Sequence, residues 1–162
     1  MDTLWAPWRM DYVENAEPST CLFCDIPSTQ HDEKSLILHR GKSVFTLMNL
    51  YPYNPGHVMI APHRHLDDLK KLSAEEQLEL IQEAARSTSL LRQTMNPDGF
   101  NLGMNLGKAA GAGVKDHLHL HVVPRWNGDT NFMPIVAETK VIPEELTATY
   151  RKLAPVFRET WK

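Results

Sequence analysis

The chain has 162 residues, which is enough for one domain with a hydrophobic core and too few to favour two domains. Its 17 basic and 20 acidic side chains give a formal net charge of -3, so the charge balance does not indicate a nucleic-acid or membrane surface. The apolar runs are short, and the first residues lack the basic and apolar regions of a signal peptide. We therefore expect a cytoplasmic protein that binds neither nucleic acid nor membrane.

Residues 1–33 are predicted to form an irregular arm that packs on the domain, because Trp5 and Trp8 favour burial over exposure to water. The arm contains a Cys-x-x-Cys pair, Cys21 and Cys24. In a reducing compartment this spacing favours a metal site over a structural disulfide, and the pair supplies half of the ligands of a tetrahedral zinc ion. The alternative is a pair of reduced, half-buried cysteines.

The middle of the chain predicts three strands and a long helix. Residues 35–38 and 43–48 are β-rich and flank an Arg-Gly-Lys turn, which indicates a hairpin, and residues 57–61 form a third strand after a proline-rich turn. A Ser-Ala-Glu-Glu capping box begins at Ser73, and apolar side chains recur behind it at helical spacing. A helix is therefore predicted over 74–95, closed by Asn-Pro-Asp-Gly.

The second half of the chain adds two strands and a helix. Residues 100–106 alternate between apolar and polar side chains, which predicts a strand with Asn101 and Asn105 on its polar face. A histidine-rich fifth strand follows a glycine- and alanine-rich loop, and Pro143 suits the first turn of a last helix, where its missing N–H costs little. The fold class predicted is α+β: an antiparallel meander of about five strands, one long helix and a C-terminal helix.

A His-Leu-His-Leu-His segment places His117, His119 and His121 at every second position. A strand points alternate side chains to one face, so Leu118 and Leu120 are predicted to face the core and the three imidazoles the opposite side. The outer two histidines would lie roughly 13 Å apart along such a strand, too far to share one metal ion easily. Imidazole is nucleophilic near neutral pH, so the row indicates an active site or a metal site.

The loop before the histidines favours an active site. Gly111, Ala112 and Gly113 leave their backbone N–H groups unobstructed, and such a concave run suits phosphate oxygens. A phosphate held there would lie beside His119. The alternative is a strand whose histidines are simply solvated, but three imidazoles in register beside a glycine loop and an asparagine-bearing strand favour a functional site.

Taken together, these motifs resemble the signature of the histidine triad (HIT) nucleotide-binding superfamily. The His-x-His-x-His segment with its upstream glycine loop matches that signature, residues 49–58 are similar to the nucleotide-contacting segment, and residues 104–107 to the phosphate-side strand. The likeness runs from Cys21 to about Arg125. Flanking segments around the two tryptophans of the arm and after the triad look more narrowly like the bacterial diadenosine-tetraphosphate phosphorylase branch.

The resemblance implies a domain organisation and partners. A nucleotide-binding domain of HIT-like fold would cover 34–126, and a C-terminal loop and helix at 127–162 would pack on the same domain. Family members are commonly homodimers that share a continuous sheet, and the long helix with the fourth strand would provide that contact. The implied small-molecule partner is an adenine nucleotide.

For the reaction, the resemblance implies a two-step displacement at phosphorus. His119 would attack the α-phosphate and form a nucleotidyl-histidine, and water or inorganic phosphate would then release AMP or ADP. His121 and Asn105 would hydrogen-bond a phosphate oxygen or the leaving group.

The same likeness implies further substrate-binding groups. Backbone N–H groups near Gly113 and Val114 would take the charge that develops on phosphate. By matching, Asn49 would bind the ribose and His57 would line the nucleotide pocket. Considered without the triad, Asn49 and Asn105 are better explained as turn or bulge asparagines.

A structural zinc site is implied by zinc-bearing members of the family. There His65 and the first triad histidine, His117, match the ligands that join Cys21 and Cys24. Such a closed set would tie the arm to the sheet. A divalent cation carried in with the polyphosphate substrate is a second expected metal.

One departure from the family pattern affects the reaction. Ala112 and Gly113 stand where many members carry Gln followed by Ser or Thr, and Asp116 resembles an insertion, so side-chain contacts to the leaving group are missing. The roomier loop favours phosphate as the second nucleophile. The reaction expected is phosphorolysis or hydrolysis of diadenosine polyphosphates.

Three other functions stay open at this point. One is hydrolysis of a nucleoside phosphoramidate, and another is a purine-nucleotide-binding regulator with little turnover. The third is a metal-dependent hydrolase with His117, His119 and Asp116 as metal ligands.

Overall fold

A computed structural model of the chain describes residues 21–29, 31–129, 142 and 144–159. Predictions about Trp5, Trp8, Pro143 and the rest of the arm before Cys21 therefore lie outside the described residues. The strands are β1 (Ile37–Arg40), β2 (Val44–Met48), β3 (Val58–Pro62), β4 (Gly99–Met104) and β5 (Leu120–Arg125). The α-helices in the described part of the chain are α1 (Leu22–Asp25), α2 (Ala74–Met95) and α3 (Leu146–Glu159).

The five strands form one antiparallel sheet, which confirms the predicted α+β class, in the order β1-β2-β3-β5-β4. Chain order is kept up to β3 and then changes, because β5 pairs with both β3 and β4 and leaves β4 at the edge. The inner position suits β5, which is mostly buried, whereas β4 is half-buried or exposed along its whole length. An inner strand is covered on both sides and therefore has to be the more apolar one.

Helix α2 begins and ends at the residues that the sequence predicts. The Ser73 hydroxyl accepts a hydrogen bond from the Glu76 N–H, and the Glu76 carboxylate accepts one from the Ser73 N–H, which completes the capping box. Asn96 takes a left-handed conformation and ends the helix. The buried face of α2 includes Leu80 and Leu91.

The sheet buries apolar side chains on both faces, and this arrangement sets where the histidines can lie. Leu118, Leu120 and Val122 join the core beneath α2 and α3, as the alternation predicts. A second, smaller core on the other face is capped by Phe23 of α1. The opposite face of the sheet, which carries α1, is therefore the one on which the alternate histidines lie.

The C-terminal helix α3 begins at Leu146, three residues after the predicted proline. The Thr149 hydroxyl donates to the Glu144 carboxylate at 2.8 Å, and the Tyr150 hydroxyl donates to the Ile37 carbonyl at 3.1 Å. The first bond lies at the beginning of α3, and the second holds α3 against the β1 edge of the sheet. None of the described helices is long and apolar enough to cross a membrane.

Candidate active site and metal centre

Of the three histidines of the triad, His117 and His119 precede β5, and His121 lies within it. The ladder starts at Leu120, because the Leu118 N–H leaves the sheet and donates to the Leu66 carbonyl at 2.6 Å. The fifth strand was predicted to include His117 and therefore begins later than predicted. His117 and His119 are buried, with 1% and 5% of their surface exposed, and His121 is half-buried.

A backbone carbonyl fixes the tautomer of His119. Its Nδ1 lies 2.8 Å from the carbonyl oxygen of His117, and because a carbonyl can only accept, Nδ1 carries the proton. The other ring nitrogen, Nε2, is then an unprotonated acceptor. Burial lowers the pKa of His119 below its ordinary value, which keeps the ring neutral. The ring of Phe23 packs on it with a centroid distance of 4.9 Å.

The tautomer of His121 is fixed by a chain of two hydrogen bonds. The Tyr53 N–H donates to His57 Nδ1 at 3.1 Å, so the proton of a neutral His57 lies on Nε2. That Nε2 lies 2.9 Å from His121 Nδ1 and donates to it. His121 then carries its own proton on Nε2. The site thus presents one bare nitrogen, on His119, beside one N–H donor, on His121, with 4.9 Å between the ring centroids.

A tight turn places His57 for this bond. Gly56 has a φ of +73°, and a Cβ there would meet the sulfur of Met95 at 2.7 Å, so both the backbone and the packing require glycine. Asn49 forms the asparagine turn that was the alternative to a ribose-binding role, because its Oδ1 accepts from the Tyr51 N–H at 3.0 Å. Its Nδ2 lies 3.4 Å from His57 Nδ1, so Asn49 contacts the histidine chain.

Sequence reasoning missed two residues that hold the loop carrying Tyr53 and His57. Asn54 has 3% of its surface exposed, and its Nδ2 donates to the Pro124 carbonyl and to Asp129 Oδ2, both at 2.8 Å. The Asp129 carboxylate also accepts from the Arg125 guanidinium at 2.6 and 2.8 Å. The only sequence signal was the Trp-Asn-Gly-Asp turn after β5, which indicates a turn but no partner.

The residues predicted to bind phosphate are less closely connected to the histidines. Asn105 follows β4 directly, and since Met104 pairs with Leu120, continuing the register sets Asn105 opposite His119. Gly113 is exposed, and Val114 packs against the core on the triad face. Among the hydrogen bonds between described residues, none joins Asn105, Gly113 or Val114 to a histidine.

The cysteine pair and two histidines converge at the other end of the triad. Cys21 Sγ lies 3.3 Å from His117 Nδ1, and Cys24 Sγ lies 3.4 Å from His65 Nδ1 and 3.6 Å from His117 Nδ1. All four candidate ligand atoms lie within 4.8 Å of one another. The remaining nitrogen of His117, Nε2, donates to the Pro62 carbonyl at 2.8 Å, which orients the ring and leaves Nδ1 for a metal.

The chemistry of this donor set fits a metal ion. Two thiols and two imidazole nitrogens are the ligands of closed tetrahedral zinc sites. Burial raises the pKa of the Cys24 thiol to about 11, and the neighbouring Cys21 adds to this effect. A cation between the two sulfurs is what would hold them as thiolates. His63, two residues before His65, is no part of the set, because its ring stacks on Phe45 with 5.3 Å between centroids.

This placement of His117 contradicts one alternative. A hydrolytic metal site built from His117, His119 and Asp116 is not formed, because the ring of His117 is turned to the cysteines and Asp116 is exposed. The described His, Cys, Asp and Glu side chains form no other metal-ligand cluster of three or more.

Comparison with known proteins agrees with the fold. The HIT domain family matches residues 30–128. AP-4-A phosphorylase of Mycobacterium tuberculosis is 42% identical over 163 residues, which cover 95% of this chain and 83% of that protein. Bis(5'-adenosyl)-triphosphatase of Dictyostelium discoideum is 35% identical over 121 residues, covering 71% and 80%.

A solved structure extends the likeness to the whole fold. The crystal structure of a Zn-bound histidine triad family protein from Mycobacterium smegmatis has a TM-score of 0.67 and 25% identity, and the match covers 86% of this chain and 94% of that one. The chain therefore belongs to the HIT domain family, which confirms the resemblance seen in its motifs.

Proposed function

We propose that the protein is an enzyme that cleaves diadenosine polyphosphates, diadenosine tetraphosphate above all, at the α-phosphate through a nucleotidyl-histidine. The relatives at 42% and 35% identity are named for diadenosine polyphosphate cleavage. The observation that carries the proposal is the state of His119: a buried neutral ring whose Nδ1–H is held by a carbonyl 2.8 Å away, which leaves Nε2 as the nucleophile.

In the first step the lone pair of His119 Nε2 bonds to the α-phosphorus, and the bond from phosphorus to the bridging oxygen of the leaving nucleotide breaks. The His121 Nε2–H donates to that oxygen as negative charge develops on it. The carbonyl of His117 accepts from Nδ1–H throughout and stabilises the positive charge that the His119 ring gains. In the second step an oxygen of phosphate or water bonds to phosphorus, and the P–N electron pair returns to Nε2.

We infer that phosphate, rather than water, is the second nucleophile, because Ala112 and Gly113 leave room beside the predicted phosphate loop. Product analysis distinguishes the two reactions. Incubation of the protein with diadenosine tetraphosphate and phosphate should give ADP and ATP, whereas hydrolysis gives AMP and ATP. AMP formed at the same rate with and without phosphate would rule out phosphorolysis. Binding of the dinucleotide without any product would instead indicate a regulator.

A structural zinc ion is proposed at Cys21, Cys24, His65 and His117. Support comes from the two sulfurs and two nitrogens within 4.8 Å and from the likeness to the Zn-bound M. smegmatis protein. Bound zinc would tie α1, and with it Phe23, to the triad. Purified protein should contain about one zinc per chain, the stoichiometry of a closed four-ligand site. Cys24→Ser should lose it while the control His63→Phe keeps it, and a zinc-free wild type would refute the site.

A homodimer through α2 and β4 is also proposed. Strand β4 is an edge of the sheet, and such edges pair readily with another strand. Beside it, Ile81 and Leu102 have 60% and 50% of their surface exposed, and a cavity of about 400 Å3 lies between Ile81, Ala85, Phe100 and Leu102. An apolar patch of this kind next to an unpaired strand edge fits a second copy of the chain. The cytoplasmic location and a substrate-borne divalent cation stay predictions.

A further inference from the structure

The proposed reaction has a charge requirement that the histidines do not meet. Attack at the α-phosphate of diadenosine tetraphosphate expels ATP, which carries several negative charges on its phosphates. The hydrogen-bond chain from the Tyr53 N–H through His57 to His121 offers the leaving group one imidazole N–H, and His119 is occupied by the attack on phosphorus. Neutral donors bind phosphate oxygens more weakly than charged ones. Ala112 and Gly113 add no polar side chain.

Two lysines of the loop between β4 and the triad line one cavity. The cavity has a volume of about 350 Å3, and the loop lines it with Lys108, Lys115, Leu106, Gly107 and Asp116. This loop adjoins the site at both ends, because Leu106 follows Asn105 and Asp116 precedes His117. A chain of phosphates that extends from His119 along this loop would therefore enter the cavity.

Asp67 and Asp68 also line the cavity, and both carboxylates have lysine partners. Asp67 Oδ1 accepts from Lys71 Nζ at 2.5 Å, and this bond lowers the pKa of Asp67. Asp68 accepts from the Lys70 N–H at 3.1 Å and lies 3.5 Å from Lys70 Nζ. These partners reduce the repulsion that the two carboxylates would exert on a phosphate chain.

The two lysines of the loop have weaker ion-pair partners. Lys115 Nζ lies 3.9 Å from Asp116 Oδ2, at the outer limit of an ion pair, and both side chains are more than half exposed. Lys108 forms no ion pair with any residue in the described part of the chain. Two ammonium groups that are weakly held by other side chains therefore line this cavity.

We propose that Lys108 and Lys115 bind the distal phosphates of the leaving nucleotide and so select substrates with a long polyphosphate. The proposal rests on the proposed function and names the substrate feature that the same site recognises. The ammonium groups would take the place of the polar side chains that many family members carry where this chain has Ala112 and Gly113. An ammonium is a compact charge on a flexible stem, which suits phosphates that differ in position from one substrate to another.

Two substrates separate this role from the chemistry. Lys108→Ala combined with Lys115→Ala should raise the KM for diadenosine tetraphosphate about tenfold, the scale of two exposed charge-assisted contacts, with little change in kcat. The p-nitrophenyl ester of AMP has no phosphate in its leaving group, so its kcat/KM should stay within about twofold of wild type. Arginine at both positions should restore the KM for the dinucleotide.

The matched control is Lys34→Ala combined with Lys42→Ala, which removes the same charge from exposed positions outside the cavity. It should leave both substrates unchanged. An equal loss on the two substrates in the loop variant, or a similar loss in the control, would overturn the proposal.

A binding measurement keeps the proposal testable even if turnover is absent. By calorimetry the loop variant should bind ATP about tenfold more weakly than wild type and AMP equally well. Unchanged ATP affinity would refute the lysine site. A wild type that binds ATP through the lysines but cleaves neither substrate would refute only the proposed reaction.

Discussion

The proton on His119 Nδ1 is held by the carbonyl of the neighbouring triad residue, His117, whose own ring faces the cysteines. The first and second histidines thus have different tasks although they are two residues apart. Alternation predicted that both rings share a face, and they do pack on the same residue, Phe23. Alternation contains no information on tautomers, because these depend on which group accepts from each ring.

His57 is expected to act through His121 rather than on the substrate. His57→Phe keeps an aromatic ring but removes the donor to His121 Nδ1, so His121 no longer presents a fixed N–H. The kcat for diadenosine tetraphosphate should fall by about 10²-fold, the lower range for a positioned proton donor. The p-nitrophenyl ester of AMP needs less help because its leaving group is more acidic, and its loss should be clearly smaller.

The control for this variant is His63→Phe, since His63 stacks on Phe45 outside the triad. It should leave both rates unchanged. Equal losses on the two substrates for His57→Phe would show that His57 supports the fold rather than the departure of the leaving nucleotide. A thermal unfolding curve measured on each variant reports that structural contribution separately.

At the scale of elements, the first turn of α2 is tied to the segment that carries His65. The Glu76 carboxylate accepts from Arg64 at 2.7 and 2.6 Å and from the Ser73 N–H. These bonds lower the pKa of Glu76 from 4.5 to about 2, and the bond with Arg64 makes the largest contribution. A carboxyl with a lowered folded pKa stabilises the fold fully above its unfolded value and loses that contribution as pH falls.

The stability gained from Glu76 should therefore be present above pH 4.5 and be lost as the pH falls toward about 2. Glu76→Gln should lower the melting temperature at neutral pH, and its difference from wild type should shrink across that acid range. Glu33→Gln, at an exposed position, serves as control and should show no such change. A difference between Glu76→Gln and wild type that stays constant with pH would contradict this account.

Local pattern was sufficient to predict most elements. The capping box sets the beginning of α2 and the Asn-Pro-Asp-Gly segment its end, because each signal lies within a few residues of the helix. The position of β5 between β3 and β4 was not predictable, since strand pairing after a 22-residue helix depends on contacts distant in sequence. The bond from Asn54 to Asp129 spans 75 positions and was missed for the same reason.

The metal centre shows a different limit. The spacing of Cys21 and Cys24 indicated half of a site, but nothing in the spacing selects His65 over His63 as a third ligand. The family resemblance supplied His65 and His117, and the structure brings these four side chains together. The local reason is that His63 packs on Phe45 and cannot turn to the cysteines at the same time.

At the scale of the whole molecule, the two faces of the sheet serve different purposes. Helices α2 and α3 cover one face, and α1, the triad and the cysteine cluster occupy the other. The exposed apolar side chains of α2 and β4 lie beside the free edge of the sheet. A dimer formed there would extend the sheet without covering the cysteine cluster.

The dimer is tested by solution mass. Wild type should have twice the mass of one chain by light scattering, and Ile81→Glu with Leu102→Lys should reduce it to that of a monomer, because both side chains lie in the exposed patch. Leu69→Lys is the control, since Leu69 is also exposed, at 40%, but lies elsewhere. A monomeric wild type at high protein concentration would contradict the interface.

The measurement that bears most directly on the central claim is capture of the covalent intermediate. Wild type mixed with diadenosine tetraphosphate and quenched within one turnover should carry an AMP group, located by peptide mass spectrometry on His119. The adduct should be labile in acid, as expected for a phosphorus–nitrogen bond, and absent from His119→Ala, which should also lose turnover. Turnover by His119→Ala at the wild-type rate, or an adduct on another residue, would contradict the mechanism.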